Sequence, residues 1–141
     1  MTTLEAELHP IATTTPRRTL RSIAAVLGGL LTTFAVTTAV DVVLHQTGVF
    51  PPMPERMSDA LFAVALGYRI PFNTLGCVVA ARLAPANPKY HAYALGLVGC
   101  VLATIGAIVM WATGPGWYSL ANIAVALPCA WLGGRLVRNR K

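Results

Sequence analysis

Four apolar stretches alternate with short polar connections along this chain, running from about Ile23 to Leu44, Ala60 to Leu83, Ala92 to Thr113 and Leu120 to Val137. An α-helix needs roughly 20 predominantly apolar residues to cross a bilayer, and each stretch is close to that length. The pattern predicts an all-α fold, a four-transmembrane-helix bundle with short connections. Residues 1–22 read as a flexible tail, 23–137 as the membrane domain and 138–141 as a basic tail. A cleavable signal peptide is the competing reading of the first stretch, because Arg17, Arg18 and Arg21 resemble an n-region and Thr37-Thr38-Ala39 a small-residue site. The stretch is longer than an h-region and its polar lead is long, so a retained span is the reading adopted.

The connections carry the orientation. The first is proline-rich, Val49 to Ser58, the second is the turn Pro85-Ala86-Asn87-Pro88-Lys89, and the third is Gly114-Pro115-Gly116 running into Trp117-Tyr118. Arg17, Arg18, Arg21, Arg82, Lys89, Arg135, Arg138, Arg140 and Lys141 fall on one side of the bundle, and Arg56 alone flanks a span on the other. Basic residues favour the cytoplasmic side, so both termini are expected inside. Trp111, Trp117 and Tyr118 would then form the outer aromatic belt, and Tyr90, Tyr93 and Trp131 the inner one.

Small residues recur at steps of four and three in two spans: Ala92, Gly96, Gly99, Ala103 and Gly106 in the third, and Ala25, Gly28, Thr32, Ala35 and Ala39 in the first. Such stripes let helix backbones approach closely, at crossing angles near +20° for a repeat of this period. Leucine at Gly99 or Ala103 is expected to disturb packing within the bundle, or a homodimer built on one of the stripes.

Composition agrees with the pattern. Of 141 residues, 55% are hydrophobic and 11% charged, with mean hydropathy +0.61. That leaves too little polar surface for a soluble globule of this size. The net charge of +6 gathers at span ends rather than in a stripe, which points to membrane lipids as partners and not to nucleic acid. Cys77, Cys100 and Cys129 all lie in apolar stretches, form no Cys-x-x-Cys, and read as small buried hydrophobes.

Two ionisable side chains interrupt the apolar stretches, Asp41 in the first and Arg69 in the second. A charge at the centre of a bilayer costs about 2.5 to 3.5 kcal/mol on insertion scales, so two of opposite sign are expected to pair. With 1.5 Å of rise per residue, Asp41 falls toward the outer face and Arg69 near mid-span, its side chain leaning outward toward the helix N-terminus. Asn122 of the fourth span reaches a similar depth. Asn73, Gly76 and Ala80 continue the Arg69 face, while Thr33, Thr37, Asp41 and His45 advance by fours along the first span. The candidate intramembrane polar cluster is therefore Asp41, Arg69, Asn73, Asn122 and His45. Pro71 and Pro128 cannot donate to the carbonyls of Gly67 and Ala124, so kinks and freed acceptors are expected beside it.

Catalytic signatures are mostly absent: the chain has no glycine-rich phosphate loop, no His-Glu-x-x-His and no nucleophile elbow. Asp41 and His45 supply half a coordination sphere at most, His91 and His9 lie elsewhere, and neither metal nor cofactor is implied.

The run from Leu44 through Phe62, then Gly67-Tyr68-Arg69 and Ala80-Ala81-Arg82-Leu83-Ala84-Pro85, resembles a group of small uncharacterised bacterial four-helix inner-membrane proteins. Met110 to Tyr118 and Leu127 to Arg135 are similar to the same group, so the resemblance covers about residues 20 to 137. It implies a bacterial inner-membrane location and brings no activity. Size and helix count also resemble those of small multidrug-resistance transporters, which use an acidic residue in the first helix. Here that residue is Asp41, near the outer end and with an arginine partner, and the basic bias opposes dual topology. The leading reading is a non-enzymatic structural or accessory helix bundle with an intramembrane Asp/Arg pair. The alternatives are a small transporter or channel using Asp41 and Arg69, then a membrane enzyme acting on a lipid or quinone.

Overall fold

The computed structural model describes residues 16–52 and 55–137. His9, Arg138, Arg140 and Lys141, assigned above to the two tails, lie outside the described residues. Within them the chain forms four helices and no strand: α1 (Pro16–Gln46), α2 (Asp59–Leu83), α3 (Pro88–Val109) and α4 (Gly116–Leu136). Residues 16–22, expected to belong to the polar tail, are helical and continue the first apolar stretch.

Local chemistry sets the ends. Past α1, Gly48 takes a left-handed backbone at φ 75°, which its missing Cβ permits, and Phe50 turns back to donate its N–H to the Leu44 carbonyl at 2.9 Å. Phe50 is 2% exposed and meets His45 edge to face. Ser58 caps α2, its hydroxyl accepting from the Leu61 N–H, and Pro88 opens α3 where a missing N–H does no harm. Both internal prolines, Pro71 and Pro128, lie inside uninterrupted helical spans.

Helix α2 is central: it packs on α1, α3 and α4, whereas α1 touches α3 over a short stretch and does not touch α4. The seams are built from small residues. A Cβ added to Gly29 would fall 2.5 Å from the Gly76 carbonyl oxygen and 2.8 Å from Ala80 Cβ, so the α1 and α2 backbones are in direct contact. Between α4 and α2, a Cβ at Gly133 would lie 2.5 Å from Cys77 Cβ. Between α3 and α4, one at Gly96 would lie 2.5 Å from Ala130 Cβ, and Gly134 adjoins Ala92 and Lys89. The core formed this way contains Cys77, Ala80, Ala81, Ala92, Leu95 and Ala130.

The small stripes are used only in part. On α3, Ala92 and Gly96 are buried against α4, Gly99 has Ala126 Cβ at 3.9 Å as its only near neighbour, and Gly106 meets nothing. On α1 the contact face runs through Ala25, Gly29 and Thr33. Ala35 and Ala39, at the outer end of the expected stripe, are exposed.

Large apolar side chains are left on the outside, among them Leu31 at 65%, Ile108 at 73% and Val109 at 77% exposure. A water-soluble protein of this size does not carry such a perimeter, and lipid accommodates it. Among the described residues three helices, α1, α2 and α3, are long and apolar enough to cross a membrane. Helix α4 falls short on composition, since Trp117, Tyr118, Asn122, Pro128 and Arg135 dilute its apolar residues.

Candidate functional site

The register of α1 against α2 brings the charges together. The helices run antiparallel, and pairing Gly29 with Gly76 and Ala80 carries the chain, three turns later on α1, to Asp41 opposite Tyr68 and Arg69. Arg69 Nη2 donates to Asp41 Oδ2 at 3.1 Å. Tyr68, one residue earlier on α2, donates its hydroxyl hydrogen to Asp41 Oδ1. Both carboxylate oxygens are thereby engaged, each by a different donor, and the charge-assisted bonds are of the stronger kind. The guanidinium of Arg69 also faces the Tyr118 ring, 5.9 Å from its centroid, which joins α4 to the group through a cation–π contact.

The other expected members separate from this core. His45 donates from Nδ1 to the Asp41 backbone carbonyl at 2.8 Å and turns its ring to Phe50, so its place is the end of α1 and not the carboxylate. Asn122 donates back to the Tyr118 carbonyl on its own helix at 3.0 Å. Asn122 and Asn73 reach a crevice of about 230 Å³ that begins at Arg69. Thr33 and Thr37 of α1, and Gly99, Leu102 and Ala103 of α3, line it as well.

Side chains support the backbone around Pro71. Side-chain donors reach the Ile70 and Phe72 carbonyls rather than that of Gly67: Thr74 Oγ1 at 2.9 Å and Cys129 Sγ at 3.5 Å to Ile70, and Thr33 Oγ1 at 3.5 Å to Phe72. Polar side chains from three helices thus supplement the ladder around Pro71.

No protein-family model, curated protein or solved structure matches this chain. What the site can do therefore rests on its own geometry and chemistry.

Each Asp41 oxygen already accepts from one donor, which ties the carboxylate to α2 and weakens it as a proton carrier or metal ligand. Among the described residues no group of three or more His, Cys, Asp or Glu side chains is placed to hold a metal ion. Arg69 is different: it has five N–H donors, one is given to Asp41, and its Nε is buried with no partner. Tyr68 and Tyr118 are the members that sequence reasoning missed as partners of the pair. Tyr68 adjoins Arg69 in sequence and shares its turn of helix, and that adjacency was the available signal.

Proposed function

We propose that this chain is a four-span integral membrane protein of the bacterial inner membrane, with both termini cytoplasmic. In this reading it serves as a non-enzymatic structural or accessory bundle whose Asp41–Arg69 pair locks the register of α1 on α2. The observation that carries the reading is the engagement of both Asp41 carboxylate oxygens by α2, one by Tyr68 and one by Arg69. A carboxylate satisfied from both sides, on a helix seam with backbones in contact, is arranged to hold two helices rather than to cycle protons. The course of α4 supports the fourth span despite its lower hydropathy. Its start adjoins Phe62 near the beginning of α2 through Tyr118, and its end adjoins Lys89 and Ala92 at the start of α3 through Gly134. Helix α4 therefore traverses the same thickness as its neighbours.

A double-mutant cycle tests the lock. Asp41→Asn and Arg69→Gln should each destabilise the protein by about 3 to 5 kcal/mol where the pair is dry, because each leaves the other charge unpaired within the bilayer. The double variant should recover much of the loss. Additive effects, measured by thermal unfolding in one detergent, would show that the two residues are not partners.

The crevice beside Arg69 favours a second reading, a small transporter or channel using Asp41 and Arg69. That reading requires the double variant to stay folded and to lose a transport phenotype.

A further inference from the structure

The crevice holds more hydrogen-bonding capacity than the bundle uses. Arg69 Nε is buried without a partner, and among the described residues no hydrogen bond engages the Asn73 amide or the Thr37 hydroxyl. The Asn122 amide gives one bond to its own helix and keeps its carbonyl oxygen free. A buried donor left unsatisfied costs about 1 to 3 kcal/mol, so this grouping is stabilised by whatever supplies acceptors. The rest of the lining is apolar, with Leu30, Phe34, Leu95 and Leu102 among it. Phe34 and Leu102 line the crevice and are also exposed on the lipid-facing surface, at 69% and 49%. Helix α1 meets α3 near Gly29 and Leu95, and the crevice extends beyond that contact between Phe34 and Leu102. Entry is thus from the side, out of the bilayer.

Charge selects the occupant. Asp41 already neutralises Arg69, so the site carries no net charge. An anionic group would add an uncompensated charge in low dielectric, which is strongly unfavourable. A neutral acceptor meets the same N–H groups without that penalty. We infer that the crevice is a binding site for a neutral, carbonyl-bearing apolar molecule that enters laterally, with its carbonyl oxygen accepting from the Asn73 amide beside Arg69 and its hydrocarbon between Phe34 and Leu102. A quinone carbonyl and a lipid ester carbonyl share this chemistry. The inference rests on the four-span reading, whose failure would show independently in surface labelling of the termini and loops.

The test uses the full chain in nanodiscs and three probes: decylbenzoquinone, methyl palmitate and palmitate at a pH where it is ionised. Saturable binding is expected for at least one of the two neutral probes, and which one binds identifies the source. Asn73→Leu, which leaves the ion pair in place, should weaken that binding about tenfold, the loss expected for one good hydrogen bond. Gly99→Leu should abolish it by filling the crevice while the protein keeps its thermal stability. Binding of palmitate more tightly than methyl palmitate would overturn the neutral assignment. Absence of binding by both neutral probes to a folded wild-type protein, or binding unaffected by both variants, would overturn the site itself.

Discussion

A single carboxylate shows how far residue chemistry constrains this bundle. Asp41 was legible in the sequence because a charge in an apolar stretch is too expensive to leave alone, and Arg69 was the opposite charge deepest within a span. Helix rise and the outward lean of the arginine then place the two near each other. Tyr68 was not legible in this role, since a tyrosine in a span reads equally well as an interfacial anchor. His45 shows the reverse limit: spacing of four residues puts it on the Asp41 face, yet its Nδ1 goes to the Asp41 backbone and its ring to Phe50. The tyrosine's contribution can be isolated. Tyr68→Phe removes one donor and no charge, so it should destabilise the protein by about 1 to 3 kcal/mol, the desolvation penalty of the abandoned Asp41 oxygen. Chemical or thermal unfolding of the variant beside wild type measures this. A loss no larger in wild type than in the Asp41→Asn background would mean that the hydroxyl and the carboxylate are not coupled.

At the scale of the helix, small residues spaced by three and four do not reveal which of two adjacent stripes will be used. On α1 the stripe through Ala25, Gly28, Thr32, Ala35 and Ala39 and the arc through Gly29, Thr33, Thr37 and Asp41 lie side by side. The structure buries Ala25 of the first and sets Gly28 beside Leu83, but from Gly29 onward it packs the second against α2, the rotation that brings Asp41 to its partners while Gly29 meets Gly76. On α3 the stripe serves two purposes along its length, close packing at Ala92 and Gly96 and a crevice wall at Gly99 and Ala103. The sequence reading expected leucine at Gly99 or Ala103 to disturb packing. The geometry separates the positions. Gly96→Leu must push apart α3 and α4 where a Cβ already falls 2.5 Å from Ala130 Cβ, and it should cost about 1 to 3 kcal/mol or more. Gly99→Leu enters open space and should leave stability within about 0.5 kcal/mol of wild type. Equal melting temperatures for the two variants would show that the α3–α4 seam is looser than this.

For the whole molecule, composition and packing pull α4 in different directions. The sequence reading placed the fourth span on the same footing as the other three. The reason it can still cross is tertiary and invisible to a hydropathy scale. Ala126, Cys129, Ala130, Gly133 and Gly134 give it a buried face along α2 and α3, and the Asn122 amide gives one hydrogen bond to its own backbone. Close packing of that face against two neighbours holds α4 alongside them whatever its mean hydropathy. Cysteine labelling of intact cells decides the matter, using a variant with alanine at Cys77, Cys100 and Cys129 and single cysteines placed elsewhere. Cysteines at Pro52 and Gly116 should react with a membrane-impermeant reagent, and one at Asn87 should not. Asn139 is the discriminating position: it follows α4, and it should be protected in intact cells and react after permeabilisation. Reaction at both Gly116 and Asn139 from outside would leave three spans and put the C-terminus outside. Reaction at Asn87 from outside would invert the bundle and place the Asp41–Arg69 pair in the cytoplasmic half.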